Sequence, residues 1–343
     1  MFRNDLGQSN ASLGSREAAW ICEPRRGCDI CLASDSRQAG HDLSGNQSEK
    51  PVVFEHLFSQ RYDAATASVI DPIVTQGDIQ EALTVLRAEL GIALSVGNPA
   101  NFLKDYLRSP TRNTQWPVSL SSKQFTARQA FGGGAVFEFV PYPSGQTEPF
   151  PDVFALPAGG QVHVIESVSL PSVARALGRD DESWLTQVIV LQRVLETHFA
   201  VYSDLNVIDL FHLQNNRKGG AKTEIDALFL MVLGDPTDPK KALITFEAKR
   251  RNPILADQIR KQVAYTAKQC TLRAELSDIT LVLPVAAGTN SKKFGKGVVA
   301  IFEMEPVTVA DGAAAHDAGT SHDLPLTISN AVGYRFQPSV SGI

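Results

Sequence analysis

No stretch of this 343-residue sequence approaches the roughly 18 apolar residues that a membrane helix needs, so no membrane association is expected. The opening stretch, MFRNDLGQSNASLGSREAAW, lacks the apolar core of an export signal, and the cytoplasm is the expected compartment. Cysteine is scarce, with only Cys22, Cys28, Cys31 and Cys270, and in a reducing compartment these imply no disulfide framework. Positive charge is not in excess. The formal net charge of -5 argues against indiscriminate nucleic-acid binding while leaving room for a local basic cleft. The triple glycine at 132–134 has neither the lysine nor the spacing of a phosphate loop. The histidines, His198, His212, His316 and His322 among them, form no Ser/His/Asp arrangement, and no internal repeat is evident.

What is present is an ordinary globular composition, 43% hydrophobic and 20% charged, on a chain long enough for a sizeable core and two domains. Residues 1–50 are polar, without a sustained apolar period, and read as a tail or linker. Within them Cys28-Asp-Ile-Cys31, with Cys22 before and His41 after, offers three thiolates and an imidazole, a donor set for tetrahedral zinc. The spacing matches no standard ribbon or finger. The Ser/Gly/Asp/Asn-rich surroundings favour free thiols in a tail over a structural Zn²⁺.

Residues 51–165 read as a first domain, mainly helical and mixed. Ile79, Leu83, Leu86 and Leu90 recur at helical intervals, residues 98–107 look helical, and AVFEFVPY reads as a short strand. Residues 166–305 give a clearer series. Trp184, Val188, Leu191, Leu195 and Phe199 form one stripe, predicting an amphipathic helix over 183–201 with cap candidates at 180–183. The strand VIDLFHLQ, the basic glycine turn NNRKGGAK, the strand EIDALFLMVL, the loop GDPTDPKK and the strand ALITFEAKR follow. A helix over 256–270, the apolar strand DITLVLPVA and the strand GVVAIFEME close the series. Three meandering strands and a crossover helix predict an α/β fold, a mixed central sheet flanked by helices. Residues 306–343 are small and polar, with one late strand near Gly333, and read as a C-terminal extension.

Charges interrupt these apolar strands at a few positions. Strand side chains alternate faces, so Glu247 and Lys249 project together, as do Glu224 and Asp226. If the two strands are neighbours, Asp226, Glu247 and Lys249 converge near one end of the sheet. Unpaired or adjacent carboxylates in a half-buried site cost on the order of several kcal/mol, and a divalent cation removes that penalty. Oxygen donors from two acids, a backbone carbonyl and water suit Mg²⁺, with Mn²⁺ as a substitute. Such an ion activates water and stabilises charge on a phosphate, as phosphodiester hydrolysis requires. The competing arrangement is a salt-bridged strand end.

Residues from about 180 to 305 resemble the PD-(D/E)xK nuclease superfamily, which includes restriction endonucleases and many repair and recombination nucleases. The motif maps onto Asp226 and onto Glu247-Ala248-Lys249, with Ile225 where the nominal proline would stand. The resemblance implies a restriction-endonuclease-like core. In it Asp226, Glu247 and the Ala248 carbonyl ligate Mg²⁺, and Lys249 assists attack of water on a DNA phosphate, leaving 5′-phosphate and 3′-hydroxyl ends. A glutamate from the preceding helix joins the site in many members. Glu196 is the candidate, with Glu224 as its rival. Gln262-Val-Ala-Tyr265 resembles a Q-x-x-Y element that implies DNA contact by Gln262 and Tyr265. A half-exposed helix with a packed tyrosine is the other reading of that match. Gln258 and Lys261 flank it.

Lys/Arg cluster around the motif, at Arg217, Lys218 and Lys222, at 249–251 including Arg250, at Arg260 and Lys261, and at Lys292, Lys293 and Lys296. Taken singly, such clusters are solvated surface. The first domain suits a DNA-recognition module. Its candidates are Asn101, Lys104, Arg108, Arg112, Asn113, Gln115 and Arg128, side chains that read base edges and hold phosphates. The expectation is a Type II-like restriction endonuclease acting on double-stranded DNA, as a homodimer if the target is palindromic. A repair, recombination or defence nuclease acting on ends or branches is the alternative. A catalytically silent DNA-binding module of the same fold is a third reading, against which the intact Asp226, Glu247 and Lys249 speak.

Overall fold

The apolar segments of the second half pair into one sheet, and those of the first half build a separate aromatic core. The computed structural model describes residues 48–130, 132–219 and 223–343. The candidate zinc ligands Cys22, Cys28, Cys31 and His41, together with Lys222, lie outside the described residues.

The amino-terminal lobe contains α1 (Lys50–Ser59), β1 (Ile73–Thr75), α2 (Gln76–Leu90), α3 (Phe102–Leu107), β2 (Phe125–Gln129) and β3 (Ala135–Pro141). The three strands form an antiparallel sheet in the order β1-β3-β2. Phe54 of α1 lies at the centre, its ring 4.8 to 5.2 Å from those of Phe102, Tyr106, Trp116 and Phe137. Aromatic packing of this kind stabilises by about 0.5–1.5 kcal/mol per pair beyond burial. A capping box starts α2. The Thr75 N–H donates to Asp78 Oδ2 at 2.7 Å, and the Asp78 N–H donates to Thr75 Oγ1 at 3.3 Å. This satisfies backbone donors that a helix start otherwise leaves open.

The remainder comprises β4 (Val162–Glu166), α4 (Glu182–Leu191), α5 (Val194–Val201), β5 (Val207–Gly219), β6 (Thr223–Asp235), β7 (Asp238–Arg250), α6 (Ala256–Leu272), β8 (Ile279–Thr289), β9 (Val298–Met304), α7 (Val309–Ala318) and β10 (Ile328–Gln337). These strands run in the order β4-β10-β9-β8-β7-β6-β5, and the two-residue strand Val307–Thr308 beside β8 makes the sheet eight-stranded. The sheet is mixed. β7 pairs parallel with β8 through the crossover α6, β4 pairs parallel with β10, and the other neighbours are antiparallel. Helices cover both faces. Leu185, Val188, Ile189, Leu195 and Phe199 of α4 and α5 bury with Phe229, Ile244, Phe246 and Ala248 on one face. Ile259, Val263 and Ala267 of α6 bury with Val282, Ala286 and Phe302 on the other. Each fully buried Val, Leu, Ile or Phe side chain among these contributes about 1.5–3 kcal/mol.

The structure departs from the sequence reading in three places. The helix expected over 183–201 is two helices, broken at Arg193, which takes a left-handed conformation with φ 52°. Such a residue costs about 1–2 kcal/mol. The break keeps both halves on one core, and the Gln192 side chain beside it accepts a place against Ser169, donating to its Oγ at 2.9 Å. The basic glycine turn is mostly strand. Residues 215–219 stay paired with 223–227 because β5 is an edge strand whose polar side chains face solvent. Residues 306–343 do not stand apart, since β10 occupies a place between β4 and β9 and α7 packs against α6. Among the described residues, no helix is long and apolar enough to cross a membrane.

Candidate active site

Asp226 stands on β6, and Glu247 and Lys249 stand on β7. The antiparallel ladder between these strands ends at Ala227 opposite Phe246. One step further, the Asp226 side chain substitutes for a ladder partner, its Oδ2 accepting the Ala248 N–H at 2.7 Å. Pleating sends Phe246 and Ala248 into the core under α4 and α5. Glu247 and Lys249 therefore point to the α6 side, where they are 1% and 6% exposed.

Glu247 is held at both oxygens. Gln258 Nε2 donates to Oε1 at 2.5 Å, and Gln262 Nε2 donates to Oε2 and also to the Glu224 carbonyl at 2.7 Å. The two glutamines are four residues apart on α6 and so share one face of the helix. Lys249 Nζ contacts Glu247 Oε1 directly. The same ammonium lies 3.2 Å from Glu182 Oε2 and donates to the Ala248 carbonyl at 3.2 Å. Charge-assisted contacts of this kind are roughly twice as strong as neutral ones.

The electrostatics follow from this burial. Loss of water, and then the Asp226 charge, push Glu247 up to about 7 against the pull of Lys249 and Gln262. Burial also raises Asp226 above the usual carboxylate range, although Lys249 and the Ala248 amide oppose it. For Lys249 burial works toward neutrality, but Glu247, Asp226 and Glu182 together outweigh it and hold it above the ordinary lysine value.

The other expected site residues are distributed differently. Glu196 is not drawn to Lys249; it forms an ion pair with Arg193 at 3.3 Å on the outer turn of α5. The helix acid that reaches the lysine is Glu182, in the first turn of α4. In the sequence it merges with Asp180 and Asp181 as an ordinary helix start, and Asp181 is indeed the cap, accepting the Trp184 N–H at 2.7 Å. The rival Glu224 has an exposed side chain and adds charge near Asp226. Gln262 is 1% exposed and donates to Glu247 Oε2 from the wall of a cleft. Tyr265 packs beneath the end of β5, where a Cβ on Gly219 would meet its Cζ at 2.4 Å.

Arg250 is engaged with Asp180 at 2.6 Å and with Thr289 at 3.2 Å. Arg128 joins Glu138 at 2.5 Å and Asp323 at 3.2 Å, and Asn113 staples Glu148 and Phe150. Arg108 pairs with Asp105 at 3.3 Å, Arg112 sits 4.0 Å from Asp152, and Gln115 is half-buried in the turn after α3. Asn101 and Lys104 line a cleft beside the Glu247 clamp.

Whether the residues suit a metal is decided by their donors. The Lys249 ammonium is itself a cation held by oxygens of Glu247, Glu182 and Ala248, with Asp226 beside them. An all-oxygen set of this kind, with two strand carboxylates and a main-chain carbonyl, is the chemistry Mg²⁺ takes. Among the described residues, no three His, Cys, Asp or Glu side chains form a ready-made metal cage, and Mg²⁺, which keeps several of its waters, needs none.

No family model, curated protein or solved structure matches the chain. The class is defined by the residues themselves, an α/β protein whose large mixed sheet, flanked by helices, carries a buried Glu247–Lys249 pair beside the half-buried Asp226.

Proposed function

We propose that this chain is a Mg²⁺-dependent endonuclease that hydrolyses phosphodiester bonds of double-stranded DNA. It is of the Type II-like restriction kind, on a PD-(D/E)xK-type core. One observation carries the reading: Asp226, Glu247 and Lys249 meet on a single face of the sheet from neighbouring strands. Adjacent buried carboxylates repel and are costly to desolvate, and such a pair needs a cation nearby.

Asp226, Glu247 and the Ala248 carbonyl are the groups that would hold Mg²⁺. When bound, the ion supplies charge against a phosphate and makes water a better nucleophile. The chain's own residues do the rest. Gln258 and Gln262 fix both oxygens of Glu247, and Glu182 positions the Lys249 ammonium, whose positive charge would offset the charge that builds on a phosphate oxygen. A two-fold dimer accompanies this reading for palindromic targets.

The test is digestion of unmethylated phage DNA with Mg²⁺ or with EDTA, using wild type and Lys249→Ala, followed by sequencing of the ends. Discrete fragments are expected only from wild type with Mg²⁺. Cleavage that ignores both the chelator and the substitution overturns the metal-nuclease reading. A smear in place of bands moves the enzyme to those that act on DNA ends or branches.

A further inference from the structure

A cleft of about 550 Å³ separates the amino-terminal lobe from α6. Asn101, Lys104 and Gln129 line it from one side, and Glu224, Gln258 and Gln262 line it from the other. The second wall is thus the clamp that holds Glu247. Two of its amide oxygens, Gln258 Oε1 and Gln262 Oε1, are buried with no hydrogen-bond partner among the described residues.

Lys104 is unusual among the lysines of this lobe. It is half-buried, and among the described residues its ammonium makes no hydrogen bond or ion pair. Lys50, also half-buried, donates to the Phe102 carbonyl at 3.1 Å. Burial lowers the pKa of Lys104, and Arg108 and Lys249 lower it further, while Glu247 and Glu182 oppose them. Its charge is therefore felt at Glu247, Glu182 and Lys249, and Gln258 and Gln262, which hold Glu247, line the same cleft. An ammonium in that position lacks an anion, and a phosphate oxygen supplies one.

We propose that Lys104 is a phosphate-binding residue of the catalytic centre, supplied by the amino-terminal lobe, and that it takes a non-bridging oxygen of the DNA phosphate cleaved beside Lys249. The inference rests on the nuclease reading and gives the first lobe a part in the chemistry as well as in recognition. Binding DNA relieves the repulsion between Lys104 and Lys249, because the phosphate sits between them.

The experiment uses the full chain. Single-turnover cleavage of phage DNA with Mg²⁺ is measured for wild type, Lys104→Met, Lys104→Arg and Lys249→Ala. Binding of a labelled duplex is followed by anisotropy in EDTA over a range of salt, and melting temperatures are recorded. Lys104→Met is expected to lose about 10²–10³-fold in cleavage rate, the usual effect of removing one group aimed at transition-state charge. Lys104→Arg keeps the charge and recovers most of the rate. The slope of log K against log salt falls by about 0.9 in the methionine variant, the loss of one phosphate contact.

Cleavage by Lys104→Met at the wild-type rate, while Lys249→Ala is dead, overturns the inference and leaves the nuclease reading standing. Equal losses in both Lys104 variants with lowered melting temperatures also overturn it, since they mark a packing role. If wild type cleaves no DNA under any of these conditions, the nuclease reading fails and the inference fails with it.

Discussion

Glu182 Oε2 lies 3.2 Å from Lys249 Nζ and ties the first turn of α4 to the strand that carries Glu247. Two segments far apart in sequence thus share one ammonium. Glu182→Gln keeps the shape and removes the charge. A hydrogen bond to a charged group contributes about 1.5–3 kcal/mol, so DNA cleavage by this variant should fall roughly ten- to a hundredfold. Glu196→Gln, whose carboxylate pairs with Arg193, should cleave as wild type does. Parallel rate measurements on the two variants decide between them, and an inactive Glu196→Gln beside an active Glu182→Gln would reverse the assignment.

Gln262 is expected to matter for stability as well as for the proposed cleavage. Replacing it with leucine leaves Glu247 Oε2 and the Glu224 carbonyl without their donor. A buried acceptor left unpaired costs about 1–3 kcal/mol. Urea unfolding in EDTA should show a loss of that size, together with reduced cleavage. Full activity and unchanged unfolding in Gln262→Leu would mean that Gln258 alone positions the carboxylate.

Mg²⁺ should stabilise the folded chain, because the folded state holds the donors together and the unfolded state does not. At about a hundred times the dissociation constant the gain is about 2.7 kcal/mol, read as a rise of roughly 4 °C in melting temperature. Asp226→Ala should abolish both that response and cleavage while leaving DNA binding intact or tighter, since it removes negative charge facing the phosphates. A variant that binds DNA weakly yet cleaves normally would count against the placement of Asp226.

A fourth expectation concerns pH and the start of α2. Burial opposes the Asp78 charge, but the Thr75 amide and hydroxyl and the Arg61 guanidinium outweigh it and hold the carboxyl below its usual range. A carboxylate depressed on folding contributes stability that is fully present above its unfolded value, about 3.9. That contribution is lost as the pH falls through the folded value. The stability gap between wild type and Asp78→Asn should therefore shrink from about pH 6 to about pH 3. Thr75→Ala should cost about 1 kcal/mol at neutral pH. Urea titrations at both pH values measure each effect, and a gap that widens in acid would contradict the sign.

Much of this architecture is written plainly in the chain, and the reasons some parts are not are physical. The bodies of β6, β7 and β8 are legible because strands buried on both faces must be apolar. Against that background a lone Asp226, Glu247 or Lys249 stands out, and alternation alone puts Glu247 and Lys249 on one side. Glu182 is hidden because an acid in a first helical turn is also what the helix dipole favours. Gln262 reads as a polar surface residue, and only the position of α6 over β7 shows that it is buried. The break at Arg193 carries no glycine or proline to announce it. β10, ISNAVGYRFQ, mixes polar and small residues. A late strand near Gly333 is legible all the same, and what the sequence hides is its place between β9 and β4.

That last arrangement has a consequence for how the molecule comes into being. β4 is made before either helix of the α4–α5 pair, yet its ladder partner, residues Gly333 to Gln337 of β10, follows every other strand of the sheet along the chain. During translation β4 must wait unpaired while nearly the whole sheet grows beside it, and closing so distant a contact is slow. Pulse-labelled amide exchange should find residues 162–166 among the latest to gain protection. A ribosome-stalled chain lacking β10 should bind hydrophobic dyes and chaperones through the bare margin of β9.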